Sequence, residues 1–130
     1  MPFGLQSDLP DRALPDALHA VLVQQTAALE ALLHDAQGTM ETLRANEAMS
    51  PQAQTTRVDG LAKAVSERLS ALEDQQRQMQ AHMEEFQRLL RQQGNPILAH
   101  TVERVKDVLV MNCMAARQQL DAIIHGQSPE

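Results

Sequence analysis

The strongest constraint in this chain is a seven-residue repeat that runs from Val58 to Leu90 without a skip. Val58, Val65, Leu72, Met79 and Phe86 form one row, and Ala62, Leu69, Gln76, Met83 and Leu90 form the companion row four residues on. Five heptads of this kind specify a long helix with an apolar seam, because residues seven apart return to nearly the same side of a helix. Such a seam needs other helices to cover it. Gln76 sits in the seam where an apolar residue belongs. It either fixes register or oligomeric state at some cost in stability, or marks a layer open to water.

The sequence on either side supplies two further helices. In "LPDRALPD", Pro10 and Pro15 suit first helical turns, and Asp11 and Asp16 favour the positive end of a helix dipole. A first helix is expected to begin between Asp11 and Asp16. It continues through Leu18, Leu22, Leu29, Leu32, Ala36, Met40 and Leu43 in mixed three- and four-residue steps. Gly38 weakens it by roughly 1 kcal/mol relative to alanine, and "NEAMSPQ" ends it near Met49, with Ser50-Pro51 as the clearest breaker. "PQAQTTRVDG" reads as a polar connector or a frayed start to the heptad helix. That helix stops at "QQGNP", where Gly94 suits a left-handed cap and Pro96 forbids continuation. The last helix starts beside Pro96 and runs to about His125, with Gly126 as its stop. Its apolar stripe is wider than a two-helix seam requires, and "VLVMNCM" (108–114) is apolar on nearly every side.

These elements predict an all-α fold, an elongated three-helix up-down-up bundle with coiled-coil-like packing. The expected organisation is a flexible tail over residues 1–10, one domain over 11–125 with helices near 11–49, 56–93 and 96–125, and a short tail over 126–130. At 1.5 Å per residue the helices are rods on the order of 45–55 Å. Composition agrees. Phe3 and Phe86 are the only aromatics, tryptophan and tyrosine are absent, and helix formers dominate. Gln25 interrupts the first stripe much as Gln76 interrupts the second, and antiparallel packing places position 25 opposite about 77. The two glutamines are therefore expected to share a polar layer.

Several chemistries lack their residues. A net charge of −6 disfavours neutralisation of nucleic-acid phosphates. No apolar run approaches the ~20 residues of a membrane span, so no membrane insertion is expected. The N-terminal stretch has neither the basic nor the apolar region of a secretory signal. With Cys113 as the single cysteine, no internal disulfide forms, and the expected compartment is the cytoplasm, or outside it by a route that reads no cleavable signal. The histidines (His19, His34, His82, His100, His125) show no E-x-x-H element of a di-metal bundle. Met111, Cys113 and Met114 suggest soft-metal or redox chemistry, but are equally ordinary packing residues. No nucleophile motif or phosphate loop is present. The expectation is a protein that is not an enzyme and carries no cofactor or metal.

Methionines at or near apolar positions of all three helices give either a plastic core or an adaptable groove for a partner. The expected mechanism is that the last helix presents Leu98, Val102, Val105, Leu109, Met111 and Met114 to an amphipathic client, while Val65, Leu72, Met79 and Phe86 hold the scaffold. The structural alternative is a subunit that oligomerises through the heptads.

Two stretches add a resemblance. "AVSERLSALEDQQRQM" (64–79) resembles a segment of small flagellar type III export chaperones that serve the hook–filament junction proteins. "NPILAHTVERVKDVL" (95–109) resembles the opening of their last long helix. That resemblance implies an all-helical cytoplasmic protein that holds export substrates through an apolar C-terminal helix. "ANEAMS" and "GLAKAVSERLSAL", with the end "LDAIIHGQ", look similar to injectisome inner-rod proteins, which would make the partner a secretion-apparatus component or another copy of the chain.

Overall fold

The computed structural model describes residues 3–9, 13–46 and 48–126. Three helices, α1 (Asp16–Ala45), α2 (Pro51–Gln92) and α3 (Pro96–Ile124), pack against one another as a bundle. α1 and α3 run parallel and α2 runs against both, giving the up-down-up arrangement. No helix among the described residues is long and apolar enough to cross a membrane.

Local chemistry sets the ends. Ser50 caps α2, its hydroxyl accepting from the Ala53 N–H at 3.2 Å, with Pro51 in the first turn. "PQAQTTRVDG" is therefore helical from its first residue, and α1 stops at Ala45, earlier than Met49. Gln54 fastens that corner by donating to the carbonyls of Leu43 and Asn46, both at 3.2 Å. At the other end Gly94 takes φ 76°, and the Asn95 N–H reaches back to the Leu90 carbonyl at 2.8 Å. The Asn95 side chain then accepts from the Leu98 N–H, so this residue closes α2 and caps α3. Arg44 on α1 donates to the carbonyls of Ile123 and Ile124, each at 3.0 Å, satisfying the C-terminal end of α3.

The core lies in two compartments. One holds Leu29, Leu32, Leu33, Ala36 and Met40 of α1 against Val65 and Leu69 of α2 and Ala116, Leu120 and Ile123 of α3. The other holds Leu18 and Leu22 against Met83 and Leu90 and against Ala99, Val102, Val105, Val108 and Leu109. On α2 the heptad rows do not share the burial equally. Leu69, Gln76, Met83 and Leu90 are buried, whereas Phe86, expected to hold the scaffold, is 44% exposed. An ordinary α-helix drifts about 20° per heptad against a strict seven-residue repeat. Along α2 this drift carries the Val58 row outward and brings Gln87 inward in place of Phe86.

The N-terminal stretch corrects the expectation of a flexible tail. Over residues 3–9 the chain is an extended strap, with Phe3 and Leu5 in the first compartment and Leu9 in the second. It runs antiparallel to α1 and α3 and seals the groove between them. Residues 1, 2, 10–12, 47 and 127–130 lie outside the described residues. α1 begins at Asp16, the late end of the expected range from Asp11 to Asp16, with Pro15 just before its first turn.

Candidate functional site

The six α3 residues expected to face a client do not share one face. Val102, Val105 and Leu109 are buried in the core, Leu98 is half-buried, and Met111 and Met114 are each 61% exposed. A helix turns 100° per residue, so one wide apolar stripe here is two surfaces. The inner one packs against α1 and α2. The outer one is Val110, Met111 and Met114, within a single turn. Presentation of all six together is therefore corrected: only Met111 and Met114 of the set stand in water, joined by Val110. Cys113 faces the interior, away from both methionines, which removes the geometry of a shared soft-metal site. All five histidines are exposed, and among the described residues no three His, Cys, Asp or Glu side chains gather to hold a metal.

Between the two core compartments lies a layer of buried polar side chains. The Cys113 thiol donates to Gln76 Oε1 at 2.6 Å, joining α3 to α2. Burial, with the Glu73 carboxylate beside it, pushes this thiol up to about 11, so it stays protonated and keeps its role as donor. Glu73 is itself held by Arg117 at 2.6 Å, a contact that raises the guanidinium further. On the other side of α3, Asn112 and Thr26 bridge to α1. The expected polar layer exists, but its α1 member is Thr26, fully buried, rather than the half-buried Gln25. Gln76 finds its partner on α3.

Asn112 also grips the strap. Its Oδ1 accepts from the Gln6 backbone N–H at 2.9 Å, and its Nδ2 donates to the Gln6 carbonyl at 2.6 Å. One side-chain amide thus pairs with both polar groups of one backbone residue, as a neighbouring β-strand would. Thr26 shares its hydroxyl proton between the carbonyls of Leu22 at 2.7 Å and Gln6 at 3.0 Å. Asn112 is 4% exposed, so the clamp works away from water, where an unmade hydrogen bond is costly.

The strap is held close to balance. Burying Phe3, Leu5 and Leu9 stabilises by about 1.5–3 kcal/mol each. The hydrogen bonds to the Gln6 backbone contribute about 1 kcal/mol apiece. Ordering the backbone costs about 1–2 kcal/mol for each residue from 3 to 9. Gain and cost cancel to within a few kcal/mol.

The α2–α3 seam is closed differently. Gln87 donates to the Ala99 carbonyl at 3.0 Å and to Glu103 at 2.8 Å, while Lys106 reaches Gln87 at 3.1 Å and Glu103 at 3.2 Å. Hydrogen bonds from Gln87 and then Lys106 hold the Glu103 carboxyl below the usual range.

Sequence reasoning missed the clamp because its parts are separately unremarked: Phe3, Leu5 and Leu9 in a short polar stretch, and Asn112 inside an apolar run. A lone asparagine within "VLVMNCM" was the available signal. Compared with known proteins, the chain matches no family model, no curated protein and no solved structure.

Proposed function

We propose that this protein is a non-enzymatic binding module, a helical bundle that holds an amphipathic segment of a partner protein against the outer face of α3. The observation that carries the reading is the exposure of Val110, Met111 and Met114 together within one turn. The bundle core is complete without them. Methionine is unbranched and polarizable, and it adapts to differently shaped apolar partners. Asp107 and Gln118, exposed on either side of the patch, continue the same helix face as a polar rim. A helical client would place apolar residues at three- and four-residue steps on this face. The resemblance of residues 64–79 and 95–109 to flagellar type III export chaperones supplies the context: a chaperone or adaptor that keeps an export substrate from aggregating before delivery.

A structural subunit is the second reading. It is favoured by Phe86 and Leu89 near the end of α2 and by Ile97, 72% exposed, at the start of α3, which put exposed apolar side chains at one end of the bundle. One experiment separates the two. A photocrosslinking amino acid is placed at Met111, at Ile97 and, as control, at Arg57, and adducts formed in cells are identified by mass spectrometry. Export substrates captured at 111 alone support the chaperone. Adducts with further copies of the chain, concentrated at 97, support the subunit. Equal labelling at 57 overturns both.

A further inference from the structure

We infer that the groove between α1 and α3 is a binding site for an extended apolar segment of another polypeptide, which displaces residues 3–9 when it docks. The strap defines what the groove accepts. Large apolar side chains enter at the first, third and seventh positions, as Phe3, Leu5 and Leu9 do. At the fourth position the groove reads only the backbone, through Asn112 and Thr26, while the Gln6 side chain stands in solvent. Recognition that depends on a backbone amide and three apolar contacts is indifferent to the remaining side chains. It therefore suits more than one sequence.

An empty groove is disfavoured, because it exposes the apolar side chains that Phe3, Leu5 and Leu9 cover and breaks the bonds of Asn112 and Thr26 to the Gln6 backbone. Exchange of one occupant for another restores those bonds. The near-balance between strap burial and ordering makes that exchange accessible. The occupant that fits best is a foreign segment rather than the strap of a second copy. A second copy offers the same side chains, and the resident strap, tethered to α1 by a handful of residues, competes at an effective concentration on the order of millimolar. A foreign segment that keeps this apolar spacing and adds contacts of its own beyond the seven strap positions overcomes that advantage.

This groove is separate from the outer face of α3. At 100° per residue, Met114 lies about 160° and Met111 about 100° around the helix from Asn112, and both stand in solvent, so variants on the outer face leave the groove intact.

The test uses the whole 130-residue chain and a fluorescent nine-residue peptide of the strap sequence, PFGLQSDLP, read by polarisation. A Phe3→Ser/Leu9→Ser chain, whose own strap is weakened, is expected to bind the peptide at least tenfold more tightly than the unaltered chain. Methylating the peptide nitrogen at its glutamine, which removes the N–H that Asn112 accepts, is expected to weaken binding at least tenfold. Met111→Glu/Met114→Glu is expected to leave binding unchanged. The unaltered chain is titrated with both peptides as well, so that poor folding of the strap variant does not decide the result. No saturable binding to either chain, or equal binding of the methylated peptide, overturns the inference. A concentration-dependent dimer that blocks the peptide overturns the choice of a foreign occupant in favour of a second copy.

Discussion

On its α1 side, α3 is sealed by a separate stretch of chain, and on its α2 side by side chains of the two helices themselves. The strap side depends on Asn112 and Thr26, which reach a backbone that is anchored by three apolar residues and leads into the start of α1. The α2 side depends on Gln87, Glu103 and Lys106 near the hairpin and on Arg117, Glu73, Gln76 and Cys113 at mid-bundle. Every member of that second set is fixed to a helix that cannot leave without unfolding the core. The difference teaches that equal burial does not mean equal permanence. A seam made by two long helices opens only with the fold, whereas a seam made by a short extended segment opens locally.

The largest expected effect concerns Cys113. With its thiol held at about 11, the reactive thiolate at pH 8 is scarcer by about 10²-fold than in an ordinary cysteine. Alkylation by iodoacetamide in the native protein is expected to be at least that much slower than in the denatured chain. Cys113 shares the first compartment with Phe3, but its thiol is bonded to Gln76 on α2, so Phe3→Ser is expected to speed alkylation far less than denaturation does. Acceleration by Phe3→Ser to the denatured rate would erase the distinction between the two seams. The same group makes a pH prediction. The folded state retains a proton that the unfolded thiol loses, so this contribution is full below about pH 8.5 and declines as pH rises towards 11.

Next comes Asn112→Leu, which removes both bonds to Gln6 and the contact with Thr26. The expected loss is about 2–3 kcal/mol by chemical denaturation, with faster hydrogen exchange at the Gln6 amide. A loss under about 1 kcal/mol with that amide still protected would mean that the three apolar anchors alone hold the strap.

These two seams also differ in how far the sequence disclosed them. The bundle itself was legible, because the heptads of Val58–Leu90, the breaker at Ser50-Pro51 and the cap at Gly94 are local signals with one physical reading each. A polar layer was legible through Gln76, whose place in an apolar row has to be answered by another polar group. Its partner was not, since burial of Thr26 rather than Gln25 depends on where α3 sits against α1. The exposure of Phe86 follows from helix drift over several turns, which a strict seven-residue count conceals. Least legible was the strap. Its spacing is that of an extended chain too short to register as an element, and its hydrogen bonds link residue 6 to residue 112. The outer patch on α3 was found only as half of a stripe, because apolar identity alone does not separate core from surface.

A smaller effect is expected on the α2 side from Gln87→Leu. The Ala99 carbonyl still accepts its helical bond from Glu103, so the substitution removes additional bonds rather than orphaning a helix carbonyl. The loss is expected to be about 1 kcal/mol, with no change in exchange at Gln6. Glu103 loses the first of the hydrogen bonds that depress its carboxyl. The depressed group contributes stability above the usual carboxylate range and loses it as pH falls, so in this variant the acid arm of the stability profile should flatten. A change in strap protection would show that the two seams are coupled through α3.

The smallest effect is at Glu30 on α1, one turn beyond Thr26. Among the described residues its Oε1 has no hydrogen-bond partner, and burial raises its carboxyl above the usual range. A raised carboxyl is one whose charged form the fold disfavours. The penalty is present at pH 7 and disappears as pH falls below the ordinary carboxylate range, where folded and unfolded states are both protonated. Glu30→Gln is therefore expected to stabilise the protein at pH 7, by less than about 0.5 kcal/mol because the side chain is only partly buried. Near pH 3 the gain should vanish. Thermal denaturation at the two pH values measures the difference. If the gain at pH 7 comes with slower exchange at the Gln6 amide, this carboxylate loosens the strap side specifically; if exchange is unchanged, its penalty belongs to the bundle as a whole, and the strap is held by Asn112, Thr26 and its three apolar anchors alone.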